Sequence, residues 1–189
     1  EAVDLFASWR KNRGSVEPNV VPAIVSTLAY CGDTPRYDEF LALSRAASTD
    51  QEKLRFLRAL GEFRVPGLFT AAIEMTLREV KTDDAPFILG AWLTTEHAGQ
   101  ATWEAIRGNW PKIMKRFPAS GTVRMLDGCS ALDTPEVAAD VEQFFAQTRV
   151  PQGDMPIAQM LERLGVNVRL RKAETPRLAA YLAGILARS

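Results

Sequence analysis

Helical periodicity recurs along the whole chain, and it constrains the fold more than any other feature of the sequence. Apolar residues return at i, i+3, i+4 and i+7, the spacing that lines one face of an amphipathic helix. Tyr37, Phe40 and Leu41 begin one such stripe, and comparable stripes follow at intervals along the chain. This pattern predicts helix starts near positions 34, 50, 66, 84, 99, 119, 134 and 154.

A threonine followed by proline marks several predicted helix starts, at positions 34–35, 134–135 and 175–176. The threonine side chain offers an N-cap oxygen, and proline at the first helical position loses no hydrogen bond. Asp50 is predicted to cap a further helix, and Pro66 is predicted to begin another. Each start is followed by apolar residues in helical register, so these signals support the periodicity.

The interval between predicted helix starts indicates how the helices are arranged. Starts lie about 15 to 20 residues apart, so a pair of helices occupies roughly 30 to 40 residues, the size of a HEAT or armadillo repeat. No linker or low-complexity segment interrupts the chain. We therefore predict an all-α fold, a single domain over residues 1–189, built as a HEAT/armadillo-like solenoid of helical hairpins with a right-handed superhelix.

Two segments depart from simple helical periodicity. Residues 166–171 alternate apolar and polar side chains like a strand, but Met160, Leu164 and Val168 continue a helical stripe, so we predict helix. Pro111 interrupts the longest apolar stripe of the chain. Because proline removes a backbone hydrogen bond and clashes with the preceding turn, we expect a kink or two abutting helices there.

Composition excludes several classes of function. Lys+Arg and Asp+Glu each total 23, and this balance argues against a nucleic-acid binder, which carries a basic excess. No apolar run approaches the roughly 20 residues of a membrane span, so no membrane partner is predicted. Cys31 and Cys129 are too few for a disulfide framework and are expected to be buried free thiols.

The sequence offers no catalytic or metal-binding set, and we predict neither kind of site in this chain. A zinc peptidase helix needs two histidines one turn apart with a glutamate between them, whereas His97 is the single histidine. Cys31, His97 and Cys129 lie too far apart in sequence for the usual zinc-ligand spacing. No Gly-x-Ser-x-Gly motif or phosphate-binding loop occurs. A cysteine-dependent enzyme using Cys129 is the weakest alternative.

Basic residues cluster near the end of the chain: Arg163, Arg169, Arg171, Lys172 and Arg177. A solvated helix face is the ordinary interpretation of such a cluster. The sharper hypothesis is an anion-attracting wall on a concave surface, with Arg163, Arg169 and Arg171 as the candidate substrate-facing residues.

Several segments, in one order along the chain, carry a family resemblance. They are YDEFL at 37–41, DQEKLRFLRAL at 50–60, DDAPFIL at 83–89, NWPKIMKRF at 109–117 and the acidic helix at 136–145. Together they resemble the C-terminal helical domain of the aminopeptidase N family of zinc metallopeptidases, the type found in endoplasmic-reticulum aminopeptidases. The resemblance covers the chain from about position 19 onward.

The resemblance implies a non-catalytic role for this chain within a larger enzyme. In that family a β-rich domain and a thermolysin-like domain precede the helical domain, and zinc is held by the thermolysin-like domain. The helical domain covers the active site and shapes peptide access. This chain is then no enzyme alone and binds no cofactor itself; its partners are the rest of the parent aminopeptidase and the peptide substrate. None of the family's zinc ligands has a counterpart here.

The alternative is a free-standing helical-repeat scaffold that binds a protein or peptide on its concave face. The first residue is Glu1 rather than methionine, and Val3, Phe6 and Trp9 make the first helix strongly apolar. A free-standing solenoid needs polar capping repeats, so these residues favour a fragment of a longer protein. Low cysteine use and the lack of an Asn-x-Ser/Thr site lead us to expect a cytoplasmic location.

Overall fold

The computed structural model describes residues 1–65 and 67–186, and every regular element within them is helical, which confirms the all-α prediction. The α-helices are α1 Ala2–Lys11, α2 Val21–Tyr30, α3 Thr34–Ala46, α4 Asp50–Ala59, α5 Leu68–Arg78, α6 Ala85–Leu93, α7 Gly99–Gly108, α8 Trp110–Arg116, α9 Ala119–Leu126, α10 Pro135–Gln147 and α11 Asp154–Leu186. Two short 3-10 helices are η1, Leu60–Glu62, and η2, Asp127–Ala131.

The helix boundaries agree closely with those predicted from periodicity. Starts predicted at 34, 50, 84, 99, 119, 134 and 154 each fall within one residue of an observed start. The interruption at Pro111 is confirmed as two abutting helices, because α7 ends at Gly108 and α8 begins at Trp110. Residues 166–171 are helical, as predicted. The predicted start at Pro66 lies outside the described residues.

The residues that cap two helices were predicted wrongly by one position. Asp33, not Thr34, caps α3, and its carboxylate accepts the backbone N–H of Arg36 at 3.1 Å. Thr49, not Asp50, caps α4, and its hydroxyl accepts the backbone N–H of Glu52 at 3.1 Å. In both helices the residue one place earlier has extended backbone, which directs its side chain toward the free N–H groups.

The helix start predicted at positions 175–176 is wrong, since α11 continues from Asp154 through Pro176 to Leu186. Proline inside a helix leaves the carbonyl four residues earlier, that of Lys172, without its helical donor. Side chains on this part of α11 are exposed, so water reaches the unpaired carbonyl. The missing hydrogen bond therefore costs less here than it would in a buried helix.

The helices pack in a serial order. One set of contacts runs from α2 to α4, α4 to α6, α6 to α9 and α9 to α11, while α1, α3, α5, α7 and α10 each pack beside a member of that set. Side-chain hydrogen bonds between elements span 29 to 40 residues in sequence. These separations match roughly one helix pair, so each pair contacts the next. The HEAT or armadillo type and the superhelix hand remain predictions.

Helix α6 occupies the centre of the core. Its sequence APFILGAWL has no charged residue, and Ile88, Leu89, Trp92 and Leu93 are buried. It packs against α4, α5, α7, α9 and η2. A helix that is apolar around its whole circumference is stable only when neighbours cover most of it, and in α6 Phe87 is the residue that remains exposed.

Trp92 shows how closely α6 approaches the preceding helix pair. Its indole Nε1 donates a hydrogen bond to the carbonyl of Arg58 at 2.8 Å, which satisfies its polar atom in the core. The ring lies over Gly61, where a Cβ atom would come within 2.2 Å of the indole. Only glycine fits at this position, because the buried ring has no space into which to move.

We expect Gly61→Ala to destabilise the domain by about 1–3 kcal/mol, the usual cost of overpacking a core. Urea denaturation followed by circular dichroism would measure the change in the free energy of unfolding. Gly108→Ala is the matched control, since its Cβ meets nothing within 4 Å and alanine favours a helix by up to about 1 kcal/mol. Equal stability of the two variants would contradict the close packing of Trp92 on Gly61.

Candidate substrate-facing surface

The predicted substrate-facing arginines lie on α11, whose first half is fastened to η2. Ile157, Met160 and Leu164 are the buried residues of α11, and the helix packs against α9, α10 and η2. Along the same side, the Asn167 amide donates to the carbonyl of Ser130 at 2.8 Å. Apolar packing and polar contacts therefore both hold the first half of α11 against the rest of the domain.

Two of the three arginines form further polar contacts on this side of α11. Arg163 forms an ion pair with Asp127, and Arg171 Nη1 lies 2.9 Å from Asp133 Oδ1. Both arginine side chains remain about half exposed, so each ion pair contributes only about 0–1 kcal/mol to stability. Asp127 begins η2 and Asp133 follows it, so the two ion pairs attach α11 to η2 and to the segment after it.

Arg169 is placed differently. It is exposed, and within the part of the chain that the structure describes it forms no ion pair. Residues two apart in an α-helix point about 200° apart, so Arg169 projects from the side opposite Arg171. The structure thus brings Arg163 and Arg171 together beside η2 and separates Arg169 from them. Contact of any of the three with substrate remains a prediction.

A second polar contact joins α7 to α10. Trp103 is buried, and its Nε1 donates to Asp140 Oδ2 at 2.6 Å, while Arg107 contacts the other carboxylate oxygen. The Trp103 ring packs edge-on against Phe144 at a centroid distance of 5.2 Å. Trp103 is therefore part of the core.

A groove of about 630 Å³ lies between α5, α7 and α8, a feature that the sequence did not indicate. Helices α5 and α7, which supply part of its lining, both pack on α6. The apolar residues that line the groove are Phe69, Ile73, Leu77, Ile113 and Phe117.

Charged groups of both signs surround this groove. Glu74, Glu104, Arg78 and Lys112 line it in balanced number. Arg116 also lines it, but its guanidinium donates to the carbonyls of Thr76, Leu77 and Val80 at the end of α5. A mixed rim over an apolar floor suits a peptide chain better than a free anion.

The structure assembles no metal site in the described residues. Among residues 1–65 and 67–186, no group of three or more His, Cys, Asp or Glu side chains could hold a metal ion. His97 lies in the turn before α7, with its Nε2 3.1 Å from the carbonyl of Gly61. The zinc that the family resemblance implies therefore has no ligand set in this part of the chain. No described helix is long and apolar enough to cross a membrane.

Comparison with known families decides the identity of the domain. The sequence profile of the ERAP1-like C-terminal domain matches residues 1–165. The chain belongs to this family. The helices α1 to α10 and the buried first part of α11 all lie within the matched region.

The relatives of this ERAP1-like domain are aminopeptidases. It is 29% identical over 136 residues to aminopeptidase M1-B of Oryza sativa, covering 70% of this chain and 15% of that protein. It is 23% identical over 169 residues to the mitochondrial aminopeptidase 2 of Saccharomyces cerevisiae, covering 86% and 18%. It is 22% identical over 191 residues to human endoplasmic reticulum aminopeptidase 2, covering 96% and 20%. The chain thus spans a fifth or less of each of these proteins.

The two cysteines of the ERAP1-like domain occupy opposite environments. Cys129 is fully buried in η2, and burial raises the pKa of its thiol far above the ordinary range. Cys31 is exposed, so the prediction that both thiols are buried is wrong for this residue. It directly follows the last residue of α2, where the chain leaves the core to reach α3. A thiol as strongly protonated as that of Cys129 is a poor nucleophile at neutral pH.

Replacement of Asp140 tests the junction of α7 and α10. We expect Asp140→Ala to lower the free energy of unfolding by about 1–3 kcal/mol, because it leaves the buried N–H of Trp103 without an acceptor. Asp140→Asn keeps an acceptor oxygen and serves as the matched control, with a smaller loss. Urea titrations of both variants measure the difference, and equal losses would argue against the indole hydrogen bond.

Thiol labelling tests the environment of each cysteine. In the folded domain we expect a maleimide reagent to label Cys31 within minutes and to label Cys129 only after denaturation, since exposure and thiolate content control the rate. Mass spectrometry counts the labels, and Cys31→Ser provides the control that removes the fast reaction. Rapid labelling of folded Cys31→Ser would contradict the burial of Cys129.

Proposed function

We propose that this chain is the non-catalytic C-terminal domain of a zinc-dependent aminopeptidase, where it covers the active site and shapes peptide access. The observation that carries this proposal is the match of residues 1–165 to the ERAP1-like C-terminal domain. Alignment to only 15–20% of the length of the aminopeptidases M1-B and endoplasmic reticulum aminopeptidase 2 further supports a part of a larger enzyme.

The residue content of the chain supports assigning catalysis to another part of the parent enzyme and enclosure of the substrate to this chain. A His-Glu-x-x-His zinc site requires two histidines, and the whole sequence contains one. Zinc, its ligands and the general base therefore belong to another part of the proposed parent enzyme. There the metal would activate the water that cleaves the first peptide bond of the substrate. This chain would supply enclosure and selection of substrate shape.

The packing of the helices supports a covering role. Helix pairs contact one another in series, and we propose that they form a HEAT/armadillo-like solenoid with a right-handed superhelix. Such an array holds a broad curved surface in place, because each pair is fixed by its neighbours on both sides. A rigid surface beside an active site limits which peptides reach it, without any reactive group of its own.

Arg169 is the strongest of the three predicted substrate-facing residues. Within the described part of the chain its guanidinium makes no ion pair, whereas those of Arg163 and Arg171 are held by Asp127 and Asp133. We propose that Arg169 attracts acidic groups in the distal part of a peptide. A cytoplasmic location and peptides as substrates remain part of this proposal.

Peptide-length selectivity of the parent enzyme tests the covering role. We expect Arg169→Glu in the complete aminopeptidase to lower kcat/KM for long acidic peptides by about fivefold to tenfold, roughly 1–1.4 kcal/mol. Hydrolysis of a single amino-acid anilide, which is too short to reach Arg169, should not change. Steady-state kinetics on both substrates give the ratio that decides the outcome.

Lys115→Glu is the matched control for that experiment. Lys115 is exposed on α8 and makes no ion pair in the described part of the chain, so its reversal changes the net charge by the same amount. An equal effect of both variants would indicate general electrostatics rather than contact with the substrate. Sequencing the reading frame upstream of Glu1 tests the parent itself: a start codon immediately before Glu1 would favour the free-standing scaffold.

A further inference from the structure

A small cleft of about 280 Å³ lies between α2 and α4 and shares no lining residue with the groove beside α5. Pro22 and Val25 line it from α2, and Leu54, Arg55 and Arg58 line it from α4. We call it the α2–α4 cleft. Helix α2, with the sequence VPAIVSTLAY, has no charged residue. The cleft therefore offers apolar surface together with two guanidinium groups from α4.

The guanidinium groups of Arg55 and Arg58 have no acceptor within the described part of the chain. Arg55 is partly buried and Arg58 is exposed. Because they are three residues apart on α4, they lie side by side on the helix surface. A charged group that has lost part of its water and gained no partner keeps a desolvation cost. A carboxylate from outside the chain would supply the acceptor through charge-assisted hydrogen bonds.

The acidic residues at the start of α4 do not neutralise these arginines, because they already have partners. Glu52 Oε1 lies 2.8 Å from Arg13 Nη2, which joins α4 to the segment after α1. Asp50 Oδ1 lies 3.7 Å from Lys81 Nζ. The positive charge on the α4 side of the cleft is therefore left for a group that this part of the chain does not supply.

Glu62 is the acidic residue that lines the cleft, and it forms no ion pair with Arg58 although it follows by four positions. The α-helix ends at Ala59, and the 3-10 helix η1 continues to Glu62. A 3-10 helix turns more tightly than an α-helix, so the Glu62 side chain is rotated away from the position above Arg58. The cleft thus holds one free carboxylate beside two free guanidinium groups.

This combination of charges distinguishes a peptide from a free anion. A free anion pairs with the arginines but is repelled by the carboxylate of Glu62. A peptide satisfies both kinds of group, because its acidic side chain accepts hydrogen bonds and its backbone N–H groups donate them.

We propose that the α2–α4 cleft binds a short acidic peptide segment. An aspartate or glutamate side chain of that segment accepts hydrogen bonds from Arg55 and Arg58, and a neighbouring backbone N–H donates to Glu62. An adjacent apolar side chain packs on Pro22 and Leu54. The volume lies at the lower limit of ordinary ligand sites, so the cleft takes one or two side chains. This inference does not depend on the proposed function, because the site lies wholly within this chain.

The probe is the blocked peptide acetyl-Leu-Glu-Ala-amide, titrated into the 189-residue chain and followed by NMR at the arginine Nε–H resonances. We expect saturable shifts at Arg55 and Arg58 with a Kd of about 1 mM or lower. The peptide acetyl-Leu-Gln-Ala-amide should bind about tenfold more weakly, because it lacks the charge-assisted hydrogen bonds. Free glutarate should bind about fivefold more weakly, since it has no N–H group to donate to Glu62.

Arg55→Gln/Arg58→Gln should weaken binding of the glutamate peptide by at least about tenfold. Lys115→Gln/Arg124→Gln is the matched control: it removes the same charge from exposed positions on α8 and α9 and should leave the Kd unchanged. Circular dichroism verifies that each variant is folded. If the first variant is unfolded, Arg55→Lys/Arg58→Lys replaces it; this variant keeps both charges, loses the planar fork and should weaken binding about threefold.

Three results would overturn the proposal. The first is the absence of saturable binding of the glutamate peptide up to about 10 mM. The second is an equal loss of affinity in the control variant, or equal binding of the glutamine peptide, since either would show that the two arginines do not recognise the carboxylate. The third is glutarate binding as tight as that of the glutamate peptide, which would identify a simple anion site.

Discussion

The packing of α6 against five neighbouring elements is the constraint on which the rest of the structure depends. A nine-residue helix without a charged side chain is stable only when α4, α5, α7, α9 and η2 surround it. Close approach follows from the same constraint. A Cβ on Gly61 would lie 2.2 Å from the Trp92 indole, and one on Gly128 would lie 2.6 Å from the carbonyl of Gly90. Small residues therefore occur where neighbouring elements must reach the central helix.

Hydrogen bonds from polar side chains connect α6 and the helices around it to one another. The Trp92 indole reaches the carbonyl of Arg58, the Trp103 indole reaches Asp140, and Arg116 reaches the carbonyl of Val80. Each bond joins elements 34 to 37 residues apart, about one helix pair. The core thus repeats one arrangement along the chain: apolar packing within a pair and a satisfied polar contact to the next.

Much of the fold could be predicted from local patterns, and the errors have local causes. Periodicity located the helices, and Pro111 correctly marked two abutting helices. The caps at Asp33 and Thr49 were missed by one residue, because several adjacent polar side chains compete and only backbone conformation selects among them. The Thr175-Pro176 pair predicts a helix start, but Pro176 lies inside α11, where exposure to water makes an interior proline less costly. The groove beside α5 was not anticipated, because its lining comes from helices about 30 residues apart in sequence, and no local pattern shows which helices lie side by side.

The sequence by itself determined the helical class, the family and the lack of a two-histidine zinc motif, because these depend on local spacing, ordered segments and residue content. Only the tertiary structure decided which side chains meet. Arg163 and Arg171 form ion pairs with Asp127 and Asp133, whereas Arg169 points away, although all three belong to one basic cluster in sequence. Likewise, the apolar face of α11 is uniform in sequence, yet its first half is buried and its second half is exposed. The physical reason is that burial depends on where the neighbouring helices end, which no single segment encodes.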